Sequence, residues 1–334
     1  MQDRFIPKTA DNDYTEGFMK KFKKALPFAI SLILLAILVS YAPWGEVAKI
    51  LADFDLSTIL VLIGLSIAYY GLKAFRFWWL LVAMGIRKPF WLVALSYISA
   101  QPASLLPGGE VFRSHALERQ TGVPVKKSIA QFTMQGILEG AGLATVMLIS
   151  AIFLHALRIP ALVLTIAVLI GLVGLDKYLV PFLHFLNKYI PFINVSEDSI
   201  QNFSEKHKDV LNRKWFPPMY GLSVLTEIIG AAIAYTSIHG LGGHINVWQA
   251  GLMYVIPIIV GFISLLPGGI GLSEQSSVGV LLLSHVTTAV AVAGTLVMRA
   301  TIVGLGVIYG VIALIIGQIR LRKQGRALFE AQNH

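Results

Sequence analysis

Seven ionisable side chains fall inside otherwise apolar stretches of this sequence: Glu110, Arg113, Glu139, Asp176, Glu227, Glu274 and Arg299. At bilayer depth a charge costs several kcal/mol unless it is paired or wet, so each is a candidate for binding or proton transfer. Glu139 and Arg299 lie near the middle of long apolar runs and are 160 residues apart. The same offset separates two copies of one hexapeptide. Ser104-Leu105-Leu106-Pro107-Gly108-Gly109 recurs unchanged as Ser264-Leu265-Leu266-Pro267-Gly268-Gly269. Such an identity marks an internal repeat. Pro107, Gly108, Gly109, Pro267, Gly268 and Gly269 must interrupt a helix, because proline lacks a backbone donor and glycine leaves the backbone uncovered. A break at membrane depth survives only where protein buries it or it lines a polar cavity.

Glu110 and Arg113 follow the first break and Glu274 follows the second. The carboxylates can be read as first-turn residues favoured by the helix dipole. The other reading is that open helix N-termini there receive an anionic phosphate, with Arg113 adding bidentate contacts. Equivalent positions of two related repeats can face each other, so Glu139 and Arg299 are expected to meet. Their pair is either a pin between the halves or a headgroup site, with Arg299 on a lipid phosphate and Glu139 binding a cationic group or exchanging a proton. The candidate substrate-binding set is Glu110, Arg113, Glu139, Glu274 and Arg299. Glu227, one turn from Gly230, stands isolated, with Lys73 or Arg76 as possible partners. Asp176-Lys177 fits an interfacial position, where lysine snorkels. Gly136-xxx-Gly140 and Gly306-xxx-Gly310 suit close helix packing.

The elements that must position these groups are membrane helices. The chain has 334 residues, 56% of them hydrophobic and 13% charged, with mean hydropathy +0.71. That composition defines a polytopic membrane protein. No cysteine is present, which excludes disulfides and thiolate metal sites, and the histidines show no metal-ligand spacing. No P-loop, dinucleotide fingerprint, His-Glu-x-x-His or Gly-x-Ser-x-Gly is found, so no cofactor and no catalytic set is expected. The net charge of +9 comes from basic residues scattered through short loops; it reports topology and attraction to anionic lipid, not nucleic acid.

The distribution of Lys and Arg orders the spans. Residues 1–24 are a basic cytoplasmic tail. Residues 25–55 hold a retained first span and an outer interfacial helix with Val47, Ile50, Leu51 and Phe54 on one face. Repeat 1 covers 56–154. Its first span, Leu56 to Met84, is read as ending in the basic flank Lys73, Arg76, Arg87 and Lys88. The stretch 90–120 has basic flanks at both ends, so it should enter and return as a re-entrant hairpin. Residues 155–215 supply a linking span and a cytoplasmic loop. Repeat 2 covers 216–317 with a second re-entrant hairpin at 247–284, and 318–334 is a basic cytoplasmic tail. The expected fold is all-α, with two inverted repeats, each broken at Pro-Gly-Gly, plus an extra N-terminal span and a linking span. Inverted repeats place a site at their interface near the midplane. Full crossing by both hairpins would give parallel repeats instead.

These motifs resemble the flippase-like family that includes the transmembrane region of lysylphosphatidylglycerol synthetases. Gly109, Glu110 and Arg113 match its Gly-Glu-x-x-Arg element, and Pro267, Gly268, Gly269, Gly271 and Glu274 match its Pro-Gly-Gly-x-Gly-x-x-Glu element. Arg299 stands where the family has a downstream membrane arginine. The family's Glu-Arg-x-x-Asp is replaced by Gln135-Gly136-x-x-Glu139. The resemblance covers nearly all of residues 25–317, and the chain ends at 334 without room for a soluble aminoacyl-transferase domain. It implies a translocase of the cytoplasmic membrane, acting on a membrane lipid that a separate lipid-modifying enzyme supplies. The rival readings are a membrane-embedded enzyme acting on a lipid phosphate and a small-solute secondary transporter.

Overall fold

The structure is a computed structural model that describes residues 29–105, 110–153, 158–159, 162–163, 165–166, 215–264 and 266–332. Pro107, Gly108 and Gly109, the N-terminal tail, and most of the expected linking span and loop, with Asp176 and Lys177, lie outside these. The helices, numbered along the described residues, are α1 (Ala29–Tyr41), α2 (Trp44–Ala52), α3 (Leu56–Ala83), α4 (Phe90–Ser99), α5 (Glu110–Thr121) and α6 (Val125–Phe153). They continue as α7 (Phe216–His239), α8 (Val247–Ser264), α9 (Leu272–Leu283), α10 (Thr288–Arg299) and α11 (Leu305–Gln332). Short 3-10 turns occupy Gln101–Leu105 and Pro267–Gly269, and a π turn covers Ala300–Gly304. No strand occurs among the described residues.

Among the described residues, five helical stretches are long and apolar enough to cross a bilayer: Leu56–Ala83, Met134–Phe153, Phe216–His239, Val247–Ser264 and Thr288–Lys323. The pair α1 and α2 makes a sixth candidate, bent by 83° where Pro43 removes a backbone donor. The expected apolar face of α2 is real, but it packs inward on α10, and Val47 is buried. Asp55 caps α3 by accepting the Ser57 hydroxyl and the Ser57 backbone N–H at 3.0 Å. These bonds hold its exposed carboxyl below the ordinary carboxylate range.

The element order of residues 56–153 returns in 216–332. Long α3 corresponds to α7, and α3 starts 160 residues before it. A helix, a break, a short helix and a further long stretch then follow in both. α4 is ten residues and α5 twelve, about 15 and 18 Å, each shorter than the roughly 30 Å hydrocarbon core. Contacts between the halves are reciprocal: α3 packs on α7, α4 on α11, and α8 on α6. The two break segments, Gln101–Leu105 and Pro267–Gly269, approach within 8 Å between Cα atoms.

Helical backbone runs from Thr288 to Gln332, so most of the expected basic tail continues α11. The π turn begins directly after Arg299. A π turn displaces backbone hydrogen bonds, and the Tyr70 hydroxyl donates to the Ile302 carbonyl at 2.6 Å. Gly306 makes room for that ring: a Cβ there would lie 2.0 Å from the Tyr70 hydroxyl. Gly310 seats α11 on Pro102, with 2.4 Å from an added Cβ to the proline Cδ. The Gly306-xxx-Gly310 ridge is therefore a packing face, whereas Gly136 faces open space.

Candidate functional site: a charged interior between α3, α6, α7 and α8

Helix periodicity turns Tyr69, Lys73, Arg76 and Leu80 of α3 to one buried face. Gln131, Gln135 and Glu139 recur every fourth residue on α6. Where these faces meet, Lys73 Nζ donates to Glu139 Oε1, and Arg76 donates to Glu139 Oε2 at 3.1 Å. Arg76 also donates to Ser223 Oγ of α7 at 2.7 Å. The Glu139 side chain is 28% exposed, against 9% for Lys73 and 0% for Arg76. The glutamate thus forms the more exposed edge of a site whose cations stand behind it. Two cations on one ionised carboxylate leave a local surplus of positive charge.

A hydroxyl chain runs deeper. The Lys73 ammonium lies 4.4 Å from the Tyr69 ring centroid. The Tyr69 and Tyr254 hydroxyls are 3.0 Å apart. Tyr254 donates to Glu227 Oε2 at 2.7 Å. Gly230 permits this arrangement, since a Cβ there would stand 2.1 Å from Tyr254 Cζ. Gly142 brings α6 against the same carboxyl, with 3.1 Å from an added Cβ to Glu227 Cγ.

On the other side of Glu139, buried Arg113 of α5 places its guanidinium carbon 4.9 Å from the Tyr97 ring centroid. Gln135 donates to the Tyr97 hydroxyl at 3.1 Å, so α4, α5 and α6 converge there. Glu110 is the first residue of α5.

The second half has its own pair. Arg299 Nε donates to Glu274 Oε1 at 2.6 Å, and Arg299 NH2 reaches the Gly268 carbonyl at 3.3 Å. Glu274 Oε2 accepts the Gly271 backbone N–H at 2.6 Å, the acidic half of a capping box. Gly268, Gly269 and Gly271 have φ of 59°, 66° and 91°, in the left-handed region that glycine enters without a side-chain penalty. Gly269 also abuts Gly261 of α8, whose Cα would lie 2.9 Å from an added Cβ. The three glycines fold the break back onto α8 and aim the start of α9 at Arg299.

The expected Glu139–Arg299 pair is therefore not formed. Each group takes an opposite charge from its own half, Glu139 from α3 and Arg299 from α9. A desolvated charge is satisfied by whichever partner the local packing presents, and the repeat offset does not encode that. A second correction concerns Lys73 and Arg76. Their position at the end of a span suggests a basic flank, but they lie about two to three turns inside α3 and are buried. The available signal was their register with Tyr69, which puts all three on one face. Glu227 is not isolated either; its partner is Tyr254, from a helix that periodicity alone does not place beside it.

Apolar helices of membrane-crossing length enclose paired charges and tyrosine hydroxyls. These features define a multi-pass membrane protein with a polar interior. The family model described as the lysylphosphatidylglycerol synthase TM region matches residues 25–310, and the chain belongs to that family. No curated protein matches the chain.

Proposed function

We propose that this protein is a translocase of the cytoplasmic membrane, with both termini cytoplasmic, that carries a phospholipid or polyprenyl-phosphate-type lipid between leaflets. The observation that carries this reading is the Lys73–Glu139–Arg76 cluster: a partly exposed glutamate with two buried cations, set in a span. A lipid phosphate entering beside Glu139 finds cations already in place, and an amine on the same headgroup finds the carboxylate. Arg113 extends the basic wall from α5, and the Glu274–Arg299 pair stands at the opposite break. The reciprocal packing of the halves supports two related repeats, and the basic flanks of 90–120 favour their inverted arrangement. In that arrangement the two break segments part as the cavity opens to one leaflet and then the other, while the lipid tail stays in the bilayer. The protein acts as a transporter, not an enzyme, and a separate lipid-modifying enzyme supplies the lipid.

Leaflet exchange in proteoliposomes tests this, using labelled phosphatidylglycerol, lysylphosphatidylglycerol and a short polyprenyl phosphate. Wild-type protein is expected to exchange one of these. Glu139→Gln, which keeps the shape and removes the charge, is expected to slow exchange at least about tenfold, equivalent to roughly 1.4 kcal/mol. Release of phosphate or headgroup without exchange would replace the reading with a lipid-phosphate enzyme. Exchange that Glu139→Gln leaves unchanged would move the site elsewhere.

A further inference from the structure

Glu227 has no role in the headgroup reading, yet it is the most secluded carboxyl described, with 0% exposure in the middle of α7. Its two oxygens differ. Oε2 accepts from Tyr254, while Oε1 has no hydrogen-bond partner. Among the described residues no cation forms an ion pair with it: Lys73 and Arg76, the nearby cations of α3, are both taken by Glu139 of α6. The other titratable groups turned toward it are Tyr254 of α8 and, beyond that, Tyr69 of α3. On α10, Arg299 is engaged by Glu274. An ionised carboxylate here would hold a charged oxygen with no donor and no cation in contact with it, an arrangement that buried charges avoid. A proton on Oε1 removes that charge and leaves the Tyr254 bond to Oε2 intact.

We infer that Glu227 is a proton-binding site, and that its protonation and release accompany each passage of lipid. This rests on the translocase reading for its coupling, but not for the proton itself. The step balances simply: the Glu227 carboxyl gains one proton from the aqueous side and later gives one up, with no bond to carbon formed or broken. Tyr254, which donates to Glu227, must accept from Tyr69. The pair is therefore oriented to pass a proton inward from the Tyr69 side onto Oε2, each hydroxyl accepting one proton as it passes one on, and the carboxyl is neutral with the proton on either oxygen.

Two readouts on the full-length protein in liposomes test the inference. The first is infrared difference spectroscopy, which detects a protonated carboxyl directly. A carboxylic-acid band is expected at neutral pH, lost in Glu227→Gln, retained in Glu139→Gln, and shifted in Tyr254→Phe, which removes the hydroxyl donor but keeps the ring. Tyr254→Phe also keeps the test decisive should Glu227→Gln fail to fold. A band that survives Glu227→Gln, or its absence at neutral pH, would overturn the proton site. The second readout is accumulation of the labelled lipid in one leaflet under an imposed pH gradient. Coupling of one proton predicts about tenfold accumulation per pH unit in wild type and none in Glu227→Gln. Equal accumulation in both proteins, or wild-type exchange that ignores the gradient, would overturn the coupling. The assigned band without movement of any lipid would uphold the proton site and overturn the translocase reading and the coupling built on it.

Discussion

Glu139 holds two buried cations at once, and that asymmetry sets the behaviour of the site. Removing the carboxylate strands Lys73 and Arg76 inside the helix bundle. Glu139→Ala is therefore expected to lower stability by about 3 kcal/mol, the lower end for a broken buried pair because Glu139 itself is partly exposed. Thermal unfolding in detergent would register the loss. A combined Lys73→Met and Glu139→Ala change should recover part of it, because a single cation then remains on Ser223. Glycines carry a second residue-scale consequence. Gly230→Ala drives a methyl into the Tyr254 ring and is expected to cost about 1–3 kcal/mol as overpacking, with relief when Tyr254 is changed to Leu. Legibility at this scale was uneven. Glu139, Glu274 and Arg299 stood out as charges in apolar runs, but Lys73 and Arg76 sat close enough to Arg87 and Lys88 to pass for loop charge. The depth of α3 beyond Arg76 and the register with Tyr69 separate the two readings.

At the scale of elements, the second Pro-Gly-Gly break was legible because proline and glycine act on the backbone directly. The boundaries of α3, α7, α8 and α9 follow the apolar runs within a residue or two. The π turn after Arg299 was not legible, since no residue in Ala300–Gly304 forbids an ordinary helix. What accommodates it comes from α3, where Tyr70 takes up the Ile302 carbonyl. The break makes a sharp prediction. Gly269→Ala meets both a positive φ and the Gly261 backbone, and should destabilise by at least about 1–2 kcal/mol. Gly279→Ala, in open space within α9, should be neutral or stabilising by up to about 1 kcal/mol. Thermal unfolding of the two variants side by side checks the contrast.

At the scale of the molecule, the 160-residue offset was visible as a repeated hexapeptide, and the structure returns it as a repeated order of helices. Ion pairing did not follow the offset, because pairs form within each half while the halves meet through helix packing and the two breaks. The proposed inverted arrangement fixes which loops share a side. The chain has no cysteine, so single introduced cysteines report sidedness cleanly. Arg87→Cys and Arg119→Cys should react with an impermeant thiol reagent only from the cytoplasmic side, and His244→Cys and Thr287→Cys only from outside. Parallel repeats would move Arg119→Cys to the outer face.

The central claim is that lipid passes between halves that open alternately at the breaks. Its most direct test is leaflet exchange by a protein carrying Ala103→Cys and Leu266→Cys, joined by a short cleavable thiol cross-linker across the two break segments. Exchange is expected to stop when the link forms and to return when it is cleaved. Exchange that continues at the uncross-linked rate would contradict it.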